Sequence, residues 1–243
     1  MPTQLLFTRV LNHALATPVD ALLRAVHVQP DYPRAPITNA VSMELLVFLV
    51  LMGYFLLVRM TLSVEEPRPE QHLAEMTHAF VKEQSESIIG HGYERFTSYL
   101  TALVLFILLS NLMGLIPGLE SPTADVVVPL GLALVTFVYY HFHGLRVNRL
   151  QYYKQFVGPV WWLSWLLLPV ELISHFARIL SLTVRLYANM FAGDMVTLVF
   201  FSIIPIGVPL VFLGLHLAVA VIQAYVFFLL ACIYLSLAIA HEH

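Results

Sequence analysis

The sequence predicts an all-α polytopic membrane protein, because its composition is strongly apolar and its apolar residues gather into five long segments. Of the 243 residues, 59% are hydrophobic and 11% are charged, and the mean hydropathy is +0.81. Soluble domains usually carry about 25% charged residues, so the composition argues against a water-soluble globular enzyme. The net charge of −3 gives no reason to expect nucleic-acid binding. The single cysteine, Cys232, cannot form a disulfide within the chain.

The five apolar segments are each long enough to cross a bilayer, which requires about 20 residues of helix. They lie at 40–62, 96–117, 124–142, 159–197 and 199–240. At about 1.5 Å per residue, the last two are longer than a bilayer is thick, so they must tilt strongly, lie along the membrane or break. Pro205, Gly207 and Pro209 indicate the turn between them.

The remaining parts of the chain are predicted to lie outside the bilayer core. Segment 64–95 is polar and acidic, and its apolar residues recur at spacings typical of an amphipathic surface helix: Leu73, Met76, Phe80 and Ile88. Residues 1–39 lack the long apolar run of a signal peptide. We therefore expect them to form an extracytoplasmic arm, either an interfacial helix or irregular, ahead of a membrane domain at 40–243.

The orientation follows from the loop charges. Loop 143–158 carries Arg146, Arg149 and Lys154, whereas loop 118–125 carries Glu120 and Asp125. The positive-inside rule places the basic loop in the cytoplasm. With five crossings, the N-terminus is then outside, while segment 64–95 and the terminal residues 241–243 are inside.

Segment 169–194 is the most informative, because it places several polar residues in an apolar helix. At 3.6 residues per turn, most of them lie within about 80° of the Glu171 direction and form one stripe: Glu171, Ser174, His175, Arg178, Ser181, Arg185 and Asn189. Asp194 lies on another face. A charge at the bilayer centre costs roughly 2.5–3.5 kcal/mol, so the stripe requires compensation.

Two interpretations of the stripe compete. It is either a structural polar seam, in which Glu171 and Arg178 can pair, or a polar path for an ion. Arg185 favours the second interpretation, because its own helix has no acidic residue one turn away and arginine keeps its proton. A permanent cation in lipid then implies an anion supplied by another chain.

The last segment adds His216 and Gln223, which are seven residues apart and therefore share a helix face. If segments 159–197 and 199–240 form a hairpin, Asp194 and His216 reach similar depth. Glu171 and His175 lie towards the other end, with Arg185 between the two groups. This pattern predicts two polar clusters separated by a fixed cation, with His216 in a proton relay.

At this point the motifs resemble those of subunit a of F-type ATP synthases. The most specific motif is LSLTVRLYANMFAGD (180–194), preceded by PVELISHFARILSL (169–182). The segments LSNLMGLIPG (109–118), SPTADVVVPLGLALVTF (121–137) and HLAVAVIQAYVFFLLACIYLSLA (216–238) agree with it. Departures from the common pattern are Asp194 in place of glutamate or histidine, Ile179 in place of proline, and Gly114 where some members have an acid.

The resemblance implies a role for each site residue. Arg185 matches the essential arginine that faces the carboxylate of the c-ring. The outer half-channel would contain Asp194, His216 and Gln223. The inner half-channel would contain Glu171, Ser174, His175 and Asn189, with Asn111 and Arg178 in support. The family also implies that the last two helices form a tilted hairpin along the c-ring.

The same resemblance implies the partners and the setting. They are the ring of c subunits, the peripheral-stalk subunit b and membrane lipid, with no cofactor, metal or nucleic acid. The chain has no Gly-Lys pair and therefore no P-loop, so we expect it to translocate ions without making ATP itself. Without a targeting signal, we expect a bacterial plasma membrane rather than an organelle.

Two other classes of membrane protein remain as alternatives. A secondary transporter often contains inverted repeats, and none is visible here. A haem-binding redox subunit would need axial ligands at matching depth. Its candidates are His141, His143, His175 and His216, but His141 and His143 are close to the basic loop and are expected at the interface.

Overall fold

A computed structural model describes residues 4–25, 27, 35–63, 68–116, 118–148, 164–203 and 207–239. The described residues form seven α-helices and one short 3-10 turn, Pro122–Ala124. The helices are α1 (Leu6–Ala25), α2 (Asn39–Met60), α3 (Pro69–Ile89), α4 (Glu94–Met113), α5 (Val127–Asn148), α6 (Ser164–Ile203) and α7 (Val208–Ile239). Several predicted features fall outside the described residues: the start of the fourth segment, part of the basic loop, Pro205 and the C-terminal residues 241–243.

Five helices are long and apolar enough to cross a membrane, as the sequence predicts. They are α2, α4, α5, most of α6 and most of α7. The fourth spanning helix continues to Ile203, beyond the expected end at 197, and Gly207 adopts a φ of 90° in the turn that follows. That left-handed conformation is readily accessible only to glycine, which explains how the chain reverses before α7.

The two long helices α6 and α7 pack against each other as an antiparallel hairpin. Near the turn, the rings of Phe200 and Phe212 stack with centroids 4.2 Å apart. At the far end, the Arg178 guanidinium lies 5.2 Å from the centroid of the Tyr234 ring. Residues near the turn on α6 therefore contact residues near the turn on α7, and residues far from the turn on α6 contact residues far from it on α7.

The core lies where α4, α5, α6 and α7 meet. Fully buried side chains from these helices fill it, including Leu100, Ile107, Leu186, Phe227 and Phe228. In a bilayer the hydrophobic effect does not drive helices together, so close packing and interhelical hydrogen bonds must hold them. One such bond joins α4 to α7, since the Asn111 amide donates to the Ala220 carbonyl oxygen at 3.1 Å.

The acidic segment forms helix α3, which begins with Pro69 and ends at Ile89, with Gly90 as its C-cap. It packs on α4 and α7. The packed face differs from the predicted apolar stripe, because the buried residues are Gln71, Val81, Ser85 and Ile89. Of that stripe, Ile88 packs against the core and the ring of Phe80 lies 5.9 Å from that of Tyr225 on α7, while Leu73 and Met76 are exposed. Helix α3 therefore has one face on the bundle and a second apolar face that is largely exposed.

Residues 6–25 of the N-terminal arm form helix α1, which docks against the beginning of α2. The Asn12 side chain is buried and makes two hydrogen bonds to the main chain of Ile37, each 3.0 Å long. The Thr8 and Ser42 hydroxyls form a further contact between the two helices. These polar contacts hold α1 against the bundle.

We predict that Asn12→Ala loosens α1, because it removes both hydrogen bonds to Ile37, each contributing about 0.5–1.5 kcal/mol. Amide hydrogen exchange across residues 6–25 should become faster than in the parent protein. His13→Ala changes an exposed neighbour and should leave exchange unchanged. Equal protection in the Asn12 variant would mean that the side chain does not hold the helix.

Candidate functional site

The α6–α7 hairpin brings Asp194 and His216 together near its turn. The Nδ1 atom of His216 is 3.7 Å from Oδ1 of Asp194. His216 is only 4% exposed, and its Nε2 atom is buried without a hydrogen-bond partner among the described residues. We call Gly193, Asp194 and His216 the turn-proximal cluster. Its imidazole can exchange a proton with the carboxylate after a small movement.

Glycine at position 193 makes room for the histidine ring. A Cβ atom there would lie 3.0 Å from both Cε1 and Nδ1 of His216. Gly114 makes room in a similar way, since a Cβ at that position would lie 3.3 Å from Oδ1 of Asp194 and 2.9 Å from Cβ of Ser121. The two glycines therefore allow the turn-proximal cluster to form in a closely packed region.

A cavity of about 1230 Å³ opens onto the turn-proximal cluster. Helix α6 and the 3-10 turn form part of its wall, and the N-terminal region, through Gln4 and Asn39, forms another part. Two further carboxylates, Glu120 and Asp125, line it together with Asp194. The sequence indicated these two acids only as markers of the outer loop. Asp194 and His216 therefore line a cavity that also contains the carboxylates of Glu120 and Asp125.

Further from the turn than this cluster, a hydrogen bond between Asn189 and Gln223 connects α6 and α7. The Asn189 amide donates to Oε1 of Gln223 at 3.0 Å, and Gln223 is 4% exposed. The sequence analysis assigned Asn189 to the inner group and Gln223 to the outer group. The structure joins the two side chains by a hydrogen bond across the hairpin, because helix pairing sets which residues meet.

Arg185 lies between the clusters and is half-exposed. Its Nη2 atom donates to the Ser181 hydroxyl at 3.0 Å. Among the described residues, no carboxylate is within salt-bridge distance of this guanidinium. The residues one turn before and one turn after it on the same face, Ser181 and Asn189, are exposed and neutral. Arg185 is therefore a permanent cation within a largely apolar helix, with a hydroxyl as its described intrachain partner.

A second cluster forms nearer the start of α6. The Nε2 atom of His175 is 3.2 Å from Oε1 of Glu171, and Nδ1 of His175 is 3.2 Å from the Tyr140 hydroxyl. We call Glu171, His175 and Tyr140 the distal cluster. Ser174 lies half-buried beside it on α6. At about 1.5 Å per residue, Glu171 and Asp194 are roughly 35 Å apart along the helix.

The structure changes the pairing that the sequence suggested for Glu171 and Arg178. Within the described part of the chain, Glu171 pairs with His175, and the Arg178 guanidinium lies over the Tyr234 ring. Helical spacing correctly placed Glu171, His175 and Arg178 on one face of α6. It could not decide whether Glu171 would pair with His175, four residues away, or with Arg178, seven residues away. A cation–π contact also required knowledge of α7.

The sequence analysis missed Tyr140 and Thr123. Thr123 donates to Oδ1 of Asn111 at 2.7 Å, so that both the oxygen and the nitrogen of this buried amide are hydrogen-bonded. His141, expected at the interface, has its ring centroid 4.7 Å from that of His175. These contacts join different helices, so no periodicity within one segment could have indicated them.

Comparisons with known proteins agree with the motifs. The family model described as ATP synthase A chain matches residues 41–236. A protein named ATP synthase subunit a from Koribacter versatilis is 57% identical over all of both chains. Its namesake from Solibacter usitatus is 42% identical over 96% of this chain and 100% of its own. ATP synthase subunit a 1 of Syntrophotalea carbinolica is 41% identical over 82% of this chain and 84% of its own.

We predict that Gly193→Ala destabilises the protein, because the new Cβ would lie only 3.0 Å from two atoms of the His216 ring, and that buried ring would have to move. Overpacking of this kind costs about 1–3 kcal/mol. The midpoint of thermal unfolding in detergent should fall relative to the parent. Gly131→Ala is the matched control, since a Cβ there meets nothing within 4 Å. Equal midpoints for both variants would contradict the close contact at Gly193.

Proposed function

This chain belongs to the ATP synthase A chain family, and from that premise we propose that it is the stator subunit a of an F-type ATP synthase. In this role it provides two offset half-channels to the carboxylates of a ring of c subunits and couples proton flow to ring rotation. The chain is an ion-translocating subunit and does not itself catalyse ATP synthesis.

Arg185 is the observation that carries the proposal. A permanent cation within a membrane-spanning helix is costly in a bilayer, at roughly 2.5–3.5 kcal/mol on insertion scales. Its described partner is a neutral hydroxyl, that of Ser181. An anion from another chain would offset this cost. A carboxylate on a c subunit that passes along α6 has the required charge and depth.

The turn-proximal cluster supports an outer half-channel. Its cavity brings solvent to Asp194 and His216, and an acidic lining favours the approach of cations. Gln223 lies on α7, as His216 does, but further from the turn. It contacts Asn189, which follows Arg185 by one turn of α6. A proton can therefore move from the cavity through Asp194 and His216 towards the arginine level.

The distal cluster supports an inner half-channel. Glu171 and His175 lie near the start of α6, with Ser174 beside them. They are separated from the turn-proximal cluster by Arg185. Because the guanidinium remains charged, it opposes direct passage of a proton from one cluster to the other. Two paths that do not join force the proton to travel on the ring.

The proposed cycle balances charge at each step. A proton from the outer path binds the carboxylate of a c subunit and makes it neutral, so that this site can face lipid at low cost. After rotation the site reaches the inner path, the proton leaves, and the carboxylate is anionic again. Arg185 then attracts it and favours the charged form. The driving work is about 2.3 kcal/mol per proton per 100 mV, so this attraction must stay modest.

We further propose that the N-terminus and α1 lie outside a bacterial plasma membrane and that the C-terminus is cytoplasmic. The loop charges support this orientation, and the cavity then opens on the outer side. Subunit b and membrane lipid would cover apolar surface away from the c-ring. The family membership favours this function over a secondary transporter or a haem-binding redox subunit.

We predict that Arg185→Ala abolishes ATP-driven proton pumping into inverted vesicles carrying the whole complex. Arg185→Lys should also fail, because lysine loses the delocalised fork of donors. Arg95→Ala removes an exposed arginine at the start of α4 and should pump normally. Pumping at the parental rate in Arg185→Ala would overturn the proposed function.

We predict that Asp194→Asn slows proton flow, because an amide cannot pass a proton to His216 as a carboxylate does. The measurement is passive proton conduction through membranes stripped of the ATP-synthesising sector. Glu94→Gln neutralises an exposed acid on α4 and should conduct normally. If Asp194→Asn conducts as well as this control, Asp194 is not on the proton path.

A further inference from the structure

Tyr140 is a buried group of the distal cluster for which the proposed mechanism has no role. It is 2% exposed and lies in the core, on α5. Its hydroxyl is 3.2 Å from Nδ1 of His175, on α6. Its ring also approaches Tyr234 on α7, with centroids 5.9 Å apart. Tyr140, on α5, thus contacts α6 through His175 and α7 through Tyr234.

The chemistry of the three groups determines the direction of each hydrogen bond. An ionised Glu171 carboxylate can only accept, so Nε2 of His175 must carry the proton at that contact. In a neutral imidazole the other nitrogen then has a lone pair. The Tyr140 hydroxyl can donate to this lone pair at Nδ1. Only one tautomer of the neutral ring satisfies both contacts.

Aromatic rings of α5 surround the imidazole of His175. The Tyr140 and His175 rings are inclined by 22°, with centroids 6.3 Å apart. Phe137 meets His175 edge-on at 6.1 Å. The imidazole is 7% exposed, so a flip would have to displace neighbours on α5.

We infer that Tyr140 is a positioning residue of the inner half-channel, whose hydroxyl holds His175 in the tautomer that presents Nε2–H to Glu171. This inference rests on the proposed function and assigns a further residue to the same path. The opposite tautomer would turn a lone pair towards the carboxylate, and the two would repel each other. Without the hydroxyl, His175 and Glu171 would spend less time arranged for proton exchange.

Several titratable or charged groups face His175 among the described residues. Glu171 and Arg178 share its helix, Tyr140 and His141 approach from α5, and Tyr234 approaches from α7 beside Arg178. A change in the pH dependence of inner proton transfer would therefore belong to this set as a whole. The experiment must separate the Tyr140 hydroxyl from the rest.

The test is Tyr140→Phe in the whole complex, which keeps the ring and removes the hydroxyl. In inverted vesicles the bath contacts the cytoplasmic face, so pumping drawn from the bath uses the inner half-channel. We expect pumping per assembled complex to fall about fivefold, as one lost neutral hydrogen bond predicts. Its dependence on bath pH should change, while its dependence on lumenal pH should not.

Tyr99→Phe is the matched control. It removes another tyrosine hydroxyl that joins two helices, bonded to Thr136 at 2.9 Å, but remote from His175 along the chain. This variant should pump with the parental dependence on bath pH. The same loss in both variants would overturn the inference, because it would point to helix packing in general.

A double-mutant cycle with His175→Leu provides the second measurement. If Tyr140 acts through the imidazole, Tyr140→Phe should have no further effect on pumping when His175 is already leucine. Additive losses would overturn the inference even if Tyr140→Phe lowers the amount of assembled complex, because rates are compared per complex. Normal pumping by Arg185→Ala would instead reject the proposed function, whatever the result at Tyr140.

Discussion

The cost of keeping polar groups inside apolar helices is the constraint on which this structure depends. Three buried polar side chains of the spans have partners on neighbouring helices: Asn111 bonds to α7, His175 contacts Tyr140 on α5, and Gln223 accepts from Asn189. Each of these hydrogen bonds takes the place of one that water would make at a protein surface, because the bilayer core contains no water. Because these partners come from different segments, the same contacts that satisfy polar groups also fix how the helices pack.

Arg185 departs from this pattern in a way that explains the arrangement around it. Its position between the two clusters follows from the antiparallel hairpin, in which residues near the turn meet each other and residues near the helix ends do the same. The carboxylate–histidine pairs therefore lie at separate depths, each satisfied locally. In the proposed function, a charge that was also satisfied locally could not respond to a carboxylate of the c-ring.

Much of the fold could be predicted from one-dimensional patterns. The five spanning helices follow from apolar segments of sufficient length, and the surface helix α3 follows from periodicity. Periodicity did not indicate the face of α3 that packs on the bundle, where Gln71 and Ser85 are buried, while Met76 of the apolar stripe is exposed. Small polar residues allow α3 to pack closely against α4 and α7. An apolar side chain that is exposed on such a surface helix can contact the apolar part of the membrane interface.

The sequence by itself determined the class of protein, the family and the residues that form the polar stripe, since these depend on composition, spacing and motif. Only the tertiary structure decided the partners. It joined Glu171 to His175 instead of Arg178, joined Asn189 to Gln223, and added Tyr140. The physical reason is that a hydrogen bond requires two atoms within about 3 Å. Helical spacing gives the direction of a side chain, but the register between helices determines which atoms come that close.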